Sequence, residues 1–232
     1  MSIMIQRPNI STLCSRLAIS LALLLVASTA HAQKLFRMEK DSIPIFRGFQ
    51  ISFDLVGPAR LMLSDHGEIE GGLRVNLHDQ WFPVVEIGIG KANHENDAVT
   101  GITYKTTAPY FRLGIDLNLL KNKHQSNRIY GGIRYAFTSY KADIIRKALL
   151  DPTWKTKTDF GVEGMKCNMH WLELVVGIDA KIFGPLHLGW SVRYKRRLSH
   201  KEGDIGQTWY VPGFGVNDQN SVGLNFNAII DI

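Results

Sequence analysis

Glu68-Ile69-Glu70-Gly71-Gly72-Leu73-Arg74-Val75-Asn76-Leu77 alternates with a period of two. Ile69, Gly71, Leu73, Val75 and Leu77 fall on one face. Glu68, Glu70, Gly72, Arg74 and Asn76 fall on the other. That period belongs to a strand with one apolar face, whereas a helix would repeat about every 3.6 residues. The pattern recurs along the chain. It is present over 48–55, 84–91, 110–118, 128–138, 171–181, 186–195 and 222–231. Each segment is near the length expected of a tilted membrane strand, about 9–11 residues. The connections alternate as well. Short links fall near Asp79-Gln80, at Lys121 to Ser126 and at Gly184-Pro185; long ones span 57–67, 92–108, 140–169 and 197–220. Short turns at one end and long loops at the other are the asymmetry of outer-membrane barrels.

Alternation alone leaves open which face points inward, because a soluble lipocalin-like barrel also has eight strands. The polar face decides it. It carries Gly48, Gly72, Gly88, Gly90, Gly114, Gly132, Gly177, Gly189 and Gly223. Glycine weakens a solvated strand and suits a narrow, filled interior. Charges on the same face nearly balance: Asp54, Glu68, Glu70, Glu86, Asp116, Glu173, Asp179 and Asp231 stand against Arg74, Arg112, Arg128, Arg134, Lys181, Arg193 and Lys195. Buried charge must be paired, and arginine pairs with carboxylates bidentately. Tyr135, Phe137, Trp190 and Tyr194 lie near strand ends on the apolar face, where interfacial girdles form. The fold expected is therefore all-β: an eight-stranded antiparallel transmembrane β-barrel, 47–232, in the outer membrane.

The N-terminus points to the same compartment. Arg7 and Arg16 precede the apolar run Leu17 to Val26, and Ala30-His31-Ala32 has the A-x-A form. A basic start, a short apolar run and small residues define a secretory signal peptide, expected over 1–32. A periplasmic extension is expected over 33–46. Removing the two arginines lowers the net charge from +6 to +4, too mild to argue for nucleic acid. Cys167 is the one cysteine left after cleavage, so no intramolecular disulfide forms. The mature region has no apolar stretch long enough for a transmembrane helix.

The sequence resembles the small eight-stranded outer-membrane barrels. More closely, it resembles an uncharacterised domain-of-unknown-function family of such proteins in Bacteroidetes-type Gram-negative bacteria. The likeness rests on Asp54-Leu55-Val56-Gly57-Pro58, Val75-Asn76-Leu77, Phe82-Pro83-Val84-Val85-Glu86, Ala108-Pro109-Tyr110-Phe111-Arg112, Tyr130-Gly131-Gly132 and Gly189-Trp190-Ser191-Val192-Arg193-Tyr194. It implies outer-membrane lipid and lipopolysaccharide as surroundings, the barrel assembly machinery as folding partner, and a monomer. It implies no catalytic residue.

Five functional readings follow from the residues. Asp54, Glu68, Glu70, Arg74, Glu86, Arg112, Asp116, Arg128, Arg134, Glu173, Asp179, Lys181 and Arg193 are expected to form an interior polar network. A salt-bridged filling is favoured over a narrow pore, because eight strands enclose little more than their own side chains. Lys195, Arg196 and Arg197, at the outer end of a strand, are candidate contacts for lipopolysaccharide phosphates. A lipid-modifying enzyme would need a histidine–serine pair at the outer rim, where His170, His200, Ser139 and Ser199 are the candidates. Glu173 falls on the opposite side of its strand from His170. Cys167-Asn168-Met169-His170 has a metal-like spacing without a second ligand pair, so neither a metal nor a cofactor is expected. Within the long link 140–169, residues 142–150 read as a short helix, either a lid or a variable loop. The function expected is non-enzymatic: envelope support or surface interaction through long outer loops.

Overall fold

The computed structural model describes residues 42–232, apart from 99, 151–152, 204–205 and 207. The expected signal peptide and most of the 33–46 extension lie outside the described residues. Ten strands and one helix follow in order: β1 (Phe46–Asp54), α1 (Val56–Leu63), β2 (His66–Leu77), β3 (Trp81–His94), β4 (Ile102–Asn118), β5 (Arg128–Leu150), β6 (Lys157–Phe183), β7 (Leu186–Lys201), β8 (Tyr210–Val211), β9 (Gly215–Val216) and β10 (Asn220–Asp231). Eight of them close into an antiparallel barrel in the order β1-β10-β7-β6-β5-β4-β3-β2; β8 and β9 pair only with each other. The seam is set by β1 on β10, from Gln50↔Asp231 to Asp54↔Asn227.

The wall is inside out relative to a soluble barrel. Leu113, Trp190 and Leu224 are 63%, 65% and 68% exposed, whereas Arg112 and Glu173 are 1% and 0% exposed. Glycines on the inner face make this possible. Gly88 faces Tyr110 across β3–β4, and Gly177 faces Tyr130 across β5–β6. A methyl group at either glycine would collide with the tyrosine ring laid over it. Each small residue thus gives its space to a large neighbour that turns into the lumen.

Three expectations change. The helix foreseen over 142–150 is strand: β5 and β6 run on as a hairpin of 23 and 27 residues, well past the end of β7. The adjacent Ile144 and Ile145 interrupt the period of two and read as helical; cross-strand pairing such as Ile144↔Val162 and Ile145↔Gly161 decides for strand. The link 57–67 contains α1 instead. Pro58 is tolerated in its first turn, and the Gly57 amide donates to Asp54 Oδ2 at 2.7 Å. The turn near Asp79-Gln80 centres one residue earlier, with both His78 and Asp79 at positive φ. Leu77 pairs with Trp81, so the loop is three residues long, 78–80, and the Gln80 amide donates to the Leu77 carbonyl at 3.1 Å.

Candidate functional site

The lumen is filled in two tiers. The first, toward the short-turn end, is built from strand side chains. Arg74, Arg112, Arg128, Arg134 and Arg193 are matched by Glu70, Glu86, Asp116, Glu173 and Asp179, all buried. Arg134 grips Asp116 through both guanidinium nitrogens, at 2.6 and 3.0 Å, and reaches Glu86 at 3.1 Å. Arg193 donates to Glu86 at 2.8 Å and meets Glu70 at 3.0 Å. Arg112 donates to Glu173 at 2.9 Å and also pairs with Glu70. Arg74 links Asp116 and Asp179, at 3.5 and 3.0 Å, and Arg128 completes the set on Asp179. The carboxylates are shared, so each guanidinium is tied to at least one neighbour on another strand. Fork-shaped donors and bifurcated acceptors hold such a lattice in one geometry.

The second tier closes the long-loop end and comes from the chain between β7 and β10. The β8–β9 hairpin turns inward rather than out. Tyr210, Val211 and Phe214 are buried, and Pro212 packs on Gly90. Gly213, at φ +81°, lies against the Tyr110 ring, where any side chain would clash. Lys195 Nζ donates to the Gly213 carbonyl at 2.7 Å, and Arg112 Nη2 donates to the same oxygen at 2.8 Å. Tyr104 Oη donates to the Tyr210 carbonyl at 2.6 Å. Phe214 meets Trp171 edge-on at 5.7 Å, and the Trp171 indole donates to Glu173 at 2.6 Å. Met165, Cys167 and Met169 complete the apolar packing around this plug.

The sequence candidates are redistributed accordingly. Asp54 is buried at the start of α1, and Glu68 is half-buried opposite Gly90. Lys181, expected in the interior network, is instead exposed at the short-turn mouth. There it lines a polar vestibule of about 200 Å³ together with Arg47, His124 and Asp231. It sits two residues from the end of β6, where the lumen meets solvent. Lys195, expected at the outer surface, is a correction of the opposite kind: it is 5% exposed and holds the plug. Strand alternation separates it from its neighbour, so only Arg196 of the basic triplet points outward. Arg197 donates to Asn217 Oδ1 at 3.3 Å.

Among the described residues the metal candidates do not assemble, whereas of the enzyme candidates His170 and Ser199 are directly opposed across β6 and β7. His170 is on the outer wall, with Nδ1 2.7 Å from Tyr135 Oη. His200 Nε2 lies 3.1 Å from Tyr140 Oη, on a different strand from Ser139. Cys167 is buried inside, so an odd spacing of three puts it and His170 on opposite faces. Among the described residues no group of histidine, cysteine, aspartate and glutamate side chains could hold a metal. The plug is what sequence reasoning missed. Tyr104, Tyr110, Tyr140 and Trp171 on the inner face were its signal: aromatic rings in a lumen need something apolar to pack against. Beyond the apolar belt, at the tip of β3, His94 contacts Asp65 at 2.7 Å and Asp97 at 3.2 Å. These hydrogen bonds hold its pKa above the ordinary imidazole value.

A family model described as a domain of unknown function (DUF6048) matches residues 12–231. Among solved structures, the chain is similar to Ail, the attachment invasion locus protein of Yersinia pestis, determined in complex with the heparin analogue sucrose octasulfate. The identity is 10%, with 79% of this chain and 93% of that one covered and a TM-score of 0.36. No curated protein matches the sequence.

Proposed function

From the premise that the chain belongs to the DUF6048 family, a domain of unknown function, we propose that it is a non-enzymatic, solute-tight barrel of the outer membrane that presents a raised rim outside the cell. The observation that carries this reading is the sidedness of the wall. Ile87, Ile89, Leu113, Leu174, Val176 and Leu224 form an exposed apolar belt around a lumen of buried ion pairs. Water on that belt would cost about 25 cal/mol for each Å² of apolar surface. Acyl chains remove the cost. The signal-peptide pattern over 1–32 and the Bacteroidetes-type resemblance favour a Gram-negative outer membrane.

A closed lumen follows from its filling. Lattice and plug residues are buried at successive levels of one narrow barrel. The surface left for interaction is therefore the rim: α1, the 95–101 loop and the protruding β5–β6 hairpin. The His170 ring is taken up by Tyr135 Oη at 2.7 Å although Ser199 is its cross-strand partner, which favours a structural or interaction role over lipid modification.

The test is refolding into liposomes, with flotation, heat-modifiable gel mobility and planar-bilayer recording. Flotation, a mobility shift on boiling and a silent bilayer are expected. A protein that stays soluble without detergent overturns the membrane reading. Discrete conductance overturns the solute-tight one.

A further inference from the structure

We propose that a basic row on the outside wall binds the phosphate of an anionic lipid headgroup, at a place distinct from the Lys195–Arg197 triplet. This rests on the membrane reading above. Lys91, Thr107, Lys141 and Lys166 stand side by side on β3, β4, β5 and β6. Lys91 pairs with Thr107, the next pair in the β4–β5 register is Thr106↔Ala142, and Lys141 pairs with Lys166. All four point outward and are exposed. With strands about 4.8 Å apart, the row spans roughly 15 Å of the circumference.

Its height is what identifies the occupant. Ile89 and Pro109, two residues below Lys91 and Thr107, are the last pair before the row. Two residues of strand amount to about 7 Å. Below them lies an aromatic shelf in which Phe111 stacks on Phe137 at 5.4 Å and Phe137 on His170 at 6.1 Å. A lipid whose chains cover that shelf brings its phosphate to the level of the lysines.

The row is also poorly balanced by the protein itself. Lys141 and Lys166 are directly opposed like charges, which destabilise a sheet. Among the described residues, no carboxylate is within ion-pair distance of Lys91, Lys141 or Lys166. Of the nearby acids, Glu95 pairs with Lys105 at 3.0 Å, and Asp143 accepts from the Gly164 amide at 2.6 Å. A groove of about 470 Å³ runs along the Lys91, Thr107 and Lys141 part of the row, lined also by Asn93, Lys105 and Asp143. That is within the size range of sites for headgroup-sized ligands. Hydroxyl and amide groups beside the lysines suit a phosphorylated sugar of the lipid A kind rather than a bare ion.

The full barrel is refolded into nanodiscs of phosphatidylcholine containing a minor share of lipid A. Lipid A that remains bound after release into detergent is then counted by native mass spectrometry. The parent is compared with Lys91→Gln/Lys141→Gln/Lys166→Gln and with Lys121→Gln at the opposite rim. The triple variant is expected to retain less lipid A by a factor on the order of ten or more, given the usual attraction of surface lysines to anionic lipid. Lys121→Gln is expected to match the parent, and dephosphorylated lipid A to be lost from both. Equal retention by the triple variant, or equal retention of the dephosphorylated lipid, overturns the site while leaving the membrane reading intact. Failure of the parent to insert, read by its heat-modifiable mobility, overturns the membrane reading itself and this site with it.

Discussion

The two tiers of the lumen occupy the same wall but are built in opposite ways. Toward the short turns, the filling grows from the strands: arginine and carboxylate side chains cross the lumen and lock onto one another. Toward the long connections, the wall offers alanines and aromatic rings, and a separate piece of chain supplies the contents. A lattice of the first kind cannot loosen without breaking the barrel. A plug of the second kind can leave while its wall stands. The difference teaches where stability and where local motion reside.

Breaking the lattice has the largest expected effect. Arg134→Met strips Asp116 of its bidentate partner and Glu86 of one of its cations, leaving Arg74 and Arg193 to hold them, at a cost of about 3–5 kcal/mol. The urea midpoint of the folded barrel in lipid should fall accordingly. Adding Asp116→Leu should recover part of the loss, since an apolar pair of similar volume replaces an ion pair at little cost. A double variant no better than the single one would mean that the lattice acts through something other than charge compensation.

Gly88→Val tests the junction between the tiers, because the Tyr110 ring over Gly88 also supports Gly213 of the plug. Overpacking here is expected to cost about 1–3 kcal/mol on the same scale. Phe214→Ala separates the tiers more sharply. In a rigid core the loss of a phenylalanine ring costs about 3–5 kcal/mol. Here undocking of the hairpin limits the global loss, so the urea midpoint should move less than for Arg134→Met. Lys195 should instead become open to acetylation, read by peptide mass spectrometry. A protected Lys195 with a full-sized global loss would make the plug one unit with the lattice.

The smallest effect belongs to His94. Its pKa is raised by the hydrogen bonds to Asp65 and Asp97. A raised value in the folded state means that the stabilising contact is fully present below the unfolded value of about 6.5 and is lost as pH rises through the folded one. Hydrogen exchange in 93–104 should therefore quicken as pH climbs above that point, after correction for intrinsic rates. His94→Gln should abolish the dependence.

The lattice was legible in the sequence and the plug was not, for a physical reason. Strand alternation assigns each residue a face, so Arg74, Arg112, Arg134 and Glu173 can be placed in the lumen from their spacing alone. Lys195 obeys the same alternation, yet its place beside Arg196 and Arg197 makes it look like one of a surface cluster. The segment Tyr210-Val211-Pro212-Gly213-Phe214 has no period at all. Its position comes from partners far along the chain: Gly90, Tyr104, Arg112 and Trp171. The β5–β6 extension was obscured similarly, because Ile144 and Ile145 break the period of two at a register shift between Ala142 and Ile144.

The plug lies between β7 and β10, and β10 forms one side of the seam. That arrangement sets an order of events for assembly. If the ring closed with the hairpin outside, Tyr210 and Phe214 would have to thread back through a finished mouth already lined by Tyr104, Tyr140 and Trp171. A hairpin carried in by the arriving β10 avoids that passage. Carried in that way, the hairpin would fill the mouth as β10 zips onto β1.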